Sequence, residues 1–370
     1  MDKISSHWHN RQQLAWSVLL LAGLWFEFFW TGGLKMVIGD NEWLEQTQEA
    51  SLDPDLPICD PHHHLWVHRP EPVAYQQYLL PELLDDLTSG HNVQSTVFIE
   101  VSAEYRPDGP EEMRSVGEVE FVENLVSNRG GGYPRTAAGI IGKADLKSGN
   151  NVRPVLEALA AASPDRFRGI RHSVGWDASP DILNREIQGV LSTESYRDGA
   201  RQLADMGFIL ENSLYFPQLE ELADFAKAIP DLTIVVNHIG GLLRIGPYAN
   251  RDEEVFTEWR KGIAILSQCS NVVMKLGGVG QARYGFDWSR RSKPVGSEEL
   301  AGSLKPLMEH CIDQFGVDRC MFESNFPVDK VSYSYNVVYN AFKRLSMGYS
   351  STERSSLFHD NAVRVYSIGG

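Results

Sequence analysis

Eight short apolar, β-branched runs recur between residues 57 and 325, each ending in a polar or small residue before a segment with helical spacing. They cover residues 57–64, 94–102, 137–145, 167–173, 207–213, 232–238, 271–277 and 319–325. After the fifth, Leu219, Leu222, Ala223, Ala226 and Ile229 share one helical face. Strands alternating with helices pair in parallel through right-handed crossovers, and this alternation predicts one (β/α)8 TIM barrel. An open doubly wound sheet is the competing arrangement. No Gly-x-Gly-x-x-Gly follows any run, which removes its usual dinucleotide form and argues against a nucleotide cofactor.

Composition narrows the partners. The chain has 370 residues and is 42% hydrophobic, enough for a barrel of roughly 250 residues or more. A formal charge of −15 argues against nucleic acid, whose phosphates attract basic surfaces. Cys59, Cys269, Cys311 and Cys320 are scattered with no Cys-x-x-Cys. They read as buried thiols in a reducing compartment, hence a cytoplasmic protein. A homo-oligomer is compatible with such a chain.

The N-terminus follows a different pattern. Residues 14–30 are almost unbroken apolar sequence, interrupted by Ser17 and Glu27 and preceded by Lys3 and Arg11. This run is short of the ~20 residues a bilayer span needs, and no small-x-small cleavage site follows it. A membrane anchor here is the alternative to a start at Met36. We favour the start at Met36, with 1–35 as an extension, 36–56 as a lead-in and 57–370 as the barrel.

Barrel enzymes work at the C-terminal ends of their strands, so polar residues there are the site candidates. The first run ends in Asp60-Pro61-His62-His63-His64-Leu65-Trp66. By strand alternation Asp60, His62 and His64 are expected on one side, with Cys59 opposite to His62 as packing. Two imidazoles so spaced grip one divalent metal or one oxyanion. The later runs add Glu100, Asp145, Arg171 or His172, Asn212, His238 and Asn325. Independent structural histidines would not be expected to gather at strand ends.

Residues 60–66, Gly169-Ile170-Arg171-His172-Ser173, Val236-Asn237-His238-Ile239-Gly240-Gly241 and Met321-Phe322-Glu323-Ser324-Asn325-Phe326-Pro327-Val328-Asp329 occur in that order. As a set they resemble the amidohydrolase superfamily, in the branch with sugar-acid lactonases and pyrone-dicarboxylate lactonase. The likeness spans about residues 41–366. It implies a (β/α)8 hydrolase opening a small lactone, with a lactone or carboxylate as the small-molecule partner. The superfamily also contains metal-dependent non-oxidative decarboxylases, the runner-up activity.

Two departures from the family pattern stand out. The eighth-strand Asp that in the family ligates metal and takes the proton from water is Asn325 here, and an amide is no base. The fifth run, 208–213, carries no His. That leaves His62 and His64, with His238 or His172, as ligands for Zn or Mn; metal is allowed rather than required. A barrel that only binds a metabolite is the non-catalytic alternative raised by Asn325.

Glu323 shares strand parity with Asn325 and is expected one layer deeper, either as the replacement base or in an ion pair with Lys275 or Arg171. Glu100 faces a similar choice between base and strut. Asp329, on the following loop, could reach back to the site, but as a loop carboxylate it is expected to be solvated. His238 is the simplest proton handler. Arg171 and His172 must point to opposite faces; the family resemblance implies Arg171 as the clamp for carboxylate or lactone carbonyl. Glu100, His172 and Asn212 are further candidates for substrate contact. Arg244, in loop 240–246, is either a second clamp or an exposed charge. Trp66, Tyr105 and Tyr215 wall the pocket or pack helices.

Overall fold

Residues with branched or aromatic side chains crowd the segments that become strands, where a pleated surface packs them well. A computed structural model describes residues 40–69, 74–129 and 134–369. Its strands are β1 (Pro57–His63), β2 (Asn92–Ile99), β3 (Arg135–Gly142), β4 (Phe167–Ser173), β5 (Ile209–Ser213), β6 (Ile234–Val236), β7 (Val272–Gly277) and β8 (Cys320–Glu323). Each is followed by a main helix: α1 (Leu80–Leu87), α2 (Val116–Ser127), α3 (Arg153–Ala162), α4 (Glu194–Asp205), α5 (Leu219–Ala228), α6 (Asp252–Leu266), α7 (Ser297–Phe315) and α8 (Tyr335–Leu345). The strands pair in sequence order from β1 to β8, every ladder parallel. This is the expected (β/α)8 barrel.

The β8–β1 seam closes through few bonds. His63 bridges Phe326 in parallel, His64 N–H donates to the Phe326 carbonyl at 2.8 Å and Asn325 N–H to the His62 carbonyl at 2.9 Å. Asp60 reinforces it from outside: its carboxylate accepts the Ser324 N–H at 3.0 Å, the Ser324 hydroxyl at 2.6 Å and the Tyr335 hydroxyl of α8 at 3.1 Å. The alternation expected through Asp60, His62 and His64 therefore breaks. The β1–β2 register slips between Asp60 and His63, and such a bulge inserts one residue and re-aims the side chains after it. Cys59 lines the inner wall, Asp60 points out, and His62 and His64 point in.

Two apolar layers build the core. The larger lies between strands and helices; the face predicted on α5 contributes Leu219, Leu222, Ala223 and Ala226 to it. The smaller fills the lumen with Val97, Ile99, Ile141, Val235, Val273 and Met321, and the C-terminal segment adds Tyr366 and Ile368. The barrel interior is thus packed, leaving chemistry to its mouth. The apolar run 14–30 and Met36 lie outside the described residues. Among the described residues no helix is long and apolar enough to cross a membrane.

Candidate active site

Inward alternation brings Glu211 (β5), Lys275 (β7) and Glu323 (β8) into the lumen above the apolar layer, all three fully buried. Lys275 Nζ donates to both Glu211 carboxylate oxygens, at 3.0 and 2.8 Å, and lies 3.3 Å from His62 Nδ1. Glu211 also accepts the Tyr366 hydroxyl at 2.6 Å and the Asn237 amide at 2.7 Å. Its charge is therefore fully matched.

Glu323 is not matched in this way. Its Oε1 accepts the His238 N–H at 3.0 Å and faces His238 Nδ1 at 2.7 Å. Its Oε2 sits 2.6 Å from His62 Nδ1, out of line for a hydrogen bond, and this buried oxygen has no hydrogen-bond partner. Lys275 stands back at 4.0 Å. Of the two expectations for Glu323, the ion pair with Lys275 is present at 4.0 Å, while the oxygen facing His62 is left without a hydrogen bond. Burial lifts its carboxyl to about 7, against the pull of Lys275.

The turn after β6 makes this meeting possible. His238 and Ile239 are left-handed, with φ of 56° and 52°, so the chain doubles back and presents the imidazole to Glu323. Gly278 permits the approach: a Cβ there would lie 1.7 Å from His238 Nδ1. Burial holds His62, His64 and His238 well below the usual imidazole range, Lys275 adding to it at His62, Arg171 at His64 and Arg283 at His238. All three are pushed toward the neutral form.

Arg171 points inward and His172 outward, as strand geometry requires. Arg171 Nε donates to Glu100 Oε1 at 2.8 Å, its Nη2 to the Glu100 carbonyl, and its Nη1 faces His62 Nε2 at 3.4 Å. Glu100 is a strut. Although burial opposes it, Arg171 keeps the Glu100 carboxyl below its usual range.

Other candidates lie away from this cluster. His172 packs against Tyr196 and reaches Glu186 at 3.2 Å. Asn212 has its amide on the His172 carbonyl at 3.0 Å and near the Tyr196 hydroxyl at 3.3 Å, among the helices. Its inward neighbour is Glu211, so the fifth-strand candidate was one residue out of phase. Arg244 is held by Asp252 at 2.9 and 2.7 Å.

Asp329, expected in solvent, is buried and reaches back. It accepts the Asn325 amide at 2.8 Å, the Gly280 N–H at 2.7 Å and the Tyr333 hydroxyl at 2.7 Å. Asn325 Oδ1 in turn lies 3.2 Å from His64 Nε2, while His64 Nδ1 is 2.8 Å from the Ile99 carbonyl. His64 is therefore tied to Asn325 and belongs to neither compact donor set among the described residues. One is Asp145, His172 and Glu186 at the periphery, and the other is a lumenal trio. Donor atoms of His62, His238 and Glu323 lie within 4.8 Å of one another. Two imidazoles and a carboxylate with an unpartnered oxygen are the set that zinc or manganese accepts. These residues fit one divalent cation.

The sequence profile of the amidohydrolase family matches residues 59–368. The chain belongs to the amidohydrolase family. This amidohydrolase is 33% identical over 333 residues to the uncharacterized protein y4mH of Sinorhizobium fredii, covering 85% of this chain and 99% of the relative. It is 23% identical over 232 residues to an L-fucono-1,5-lactonase of Burkholderia multivorans, covering 62% of this chain and 72% of the relative. A zinc-bound amidohydrolase from Burkholderia multivorans shares its fold, with a TM-score of 0.66, 21% identity and coverage of 84% of this chain and 99% of that one.

Proposed function

We propose that the protein opens a small lactone by attack of water at the mouth of the barrel. The observation that carries this reading is Glu323, a buried carboxylate bonded to His238 with one oxygen and facing His62 with the other. The resemblance to a relative named as an L-fucono-1,5-lactonase supports the choice of a cyclic ester.

Arg171 has one nitrogen not spent on Glu100. Its Nη1, beside His62, donates to the lactone carbonyl and then to the oxyanion, where charge develops. Glu323 takes the place of the carboxylate missing at position 325. Its Oε2 receives the proton of the attacking water, an acceptor poised near 7 being suited to that task at neutral pH. His238 holds the carboxylate through Oε1, and the proton they share returns to the departing alkoxide. His62, His238 and Glu323 would hold a divalent ion, which supplies Lewis-acid polarisation of the carbonyl when bound.

The test is ring opening of a panel of sugar-acid and dicarboxylate lactones, followed by proton release, with Glu323→Gln as control. Turnover lost in the variant supports the reading. Release of carbon dioxide from aromatic acids without lactone opening would replace it by decarboxylation. Tight binding with neither reaction would leave a binding barrel.

A further inference from the structure

Arg283 follows β7 in the one-turn helix Ala282–Tyr284. Its Nη2 donates to the Tyr284 hydroxyl at 3.3 Å, and that hydroxyl reaches the His238 carbonyl at 3.4 Å. Arg283 is thereby fastened to the turn that carries the cluster's imidazole. Its charge is felt there: after burial, Arg283 is the largest influence depressing His238.

What sets this residue apart is what it lacks. The cations of the lumenal cluster have their acids: Arg171 has Glu100 and Lys275 has Glu211. Among the described residues Arg283 makes no ion pair, and its Nε is buried without a hydrogen-bond partner. Arg283 is only partly exposed, its charge is answered at a distance by Asp329 and not by a paired acid, and its planar fork matches a carboxylate in a two-point contact.

We infer that Arg283 is the recognition residue for a carboxylate on the substrate, so that the substrate is an anionic lactone and not a neutral one. The lactone half of this statement rests on the proposed function; the anion half rests on Arg283 itself. Arg244, the arginine singled out in the sequence, is already spent on Asp252.

The two halves are tested separately. Tetrahydrofuran-2-carboxylate is a ring acid with no ester to hydrolyse, and its binding is read by isothermal titration calorimetry on the full chain, with and without zinc. Wild type is expected to bind it, Arg283→Met to bind at least about tenfold more weakly, and Arg283→Lys to recover part of the loss. No binding by wild type, or equal affinity in wild type and both variants, overturns the inference.

For turnover, 5-oxotetrahydrofuran-2-carboxylate is compared with its carboxamide. A preference for the acid that shrinks in Arg283→Met supports the inference, and equal kcat/KM for acid and amide in wild type refutes it. Arg283-dependent binding of the ring acid with neither lactone opened would defeat the lactonase reading and leave the anion site standing.

Discussion

Glu323 and His238 are joined at one oxygen: Oε1 accepts the backbone N–H of His238 at 3.0 Å and faces its Nδ1 at 2.7 Å. Backbone and ring are thus fixed by a single carboxylate, which sets both where the imidazole sits and which way it turns. Replacing Glu323 with Gln keeps the volume but removes the charge and the proton acceptor. Lactone turnover should fall by about 10²–10⁴, measured as initial rates. Circular dichroism should stay native, because the amide oxygen can still accept from the backbone.

Gly278 is where this contact can be broken from a distance. Its backbone is left-handed at φ 68°, and a Cβ would meet the His238 ring at 1.7 Å from Nδ1. Gly278→Ala should displace the imidazole and lower turnover by about tenfold or more, since a misplacement of about 1 Å already costs that much. A crystal structure of the variant would show whether the Glu323–His238 contact has lengthened.

Restoring the family's acid at position 325 should not restore a better enzyme. The Asn325 amide donates to Asp329 at 2.8 Å, so Asn325→Asp would place two buried carboxylates at hydrogen-bond distance. One must then hold a proton, and the lost bond should lower stability by about 1–3 kcal/mol. The double variant with Asp329→Asn should regain most of it, as urea melts would reveal. Full stability in Asn325→Asp alone would contradict the arrangement.

The barrel and its strand ends were legible because period-2 and helical spacing persist through the whole chain. That Arg171 and His172 face opposite ways follows from alternation; that Arg171 is the inward one follows from the family resemblance. Asp60 does not: the slip in β1 is a bulge, and sequence periodicity cannot report an inserted residue. Asn212 meets a related limit: the fifth run ends in three polar residues, Glu211, Asn212 and Ser213, and only register tells which of them faces the lumen. His238 and Asp329 depend on left-handed turns after β6 and β8. Arg283 carried no pattern at all, because its significance lies in the acid it lacks.

Several buried carboxyls carry raised pKa values, burial being the leading cause: Asp60 to about 6, Glu323 and Asp329 to about 7, and Glu118 to about 8. These groups keep protons in the folded state that the unfolded chain releases near pH 4. These four carboxyls therefore contribute stability that is lost as pH rises through about 6 to 8. The buried histidines, which the unfolded chain would protonate, work in the opposite sense below about pH 6.5. Above about pH 7 histidines in the unfolded chain are already neutral, so the thermal midpoint should fall from about pH 7 to about pH 8. Asp329→Asn, which removes one such group, should make that fall smaller; a midpoint that rises from about pH 7 to about pH 8 would refute the assignment.

The central claim is that His62, His238 and Glu323 form one centre. It is tested most directly by elemental analysis of the untagged full chain after equilibration with zinc or manganese and removal of free ion. The account predicts about one ion per wild-type chain, and loss of that ion in His62→Ala and in Glu323→Ala, each variant being checked for native circular dichroism. No ion on the wild type, or an unchanged content in both variants, would contradict it.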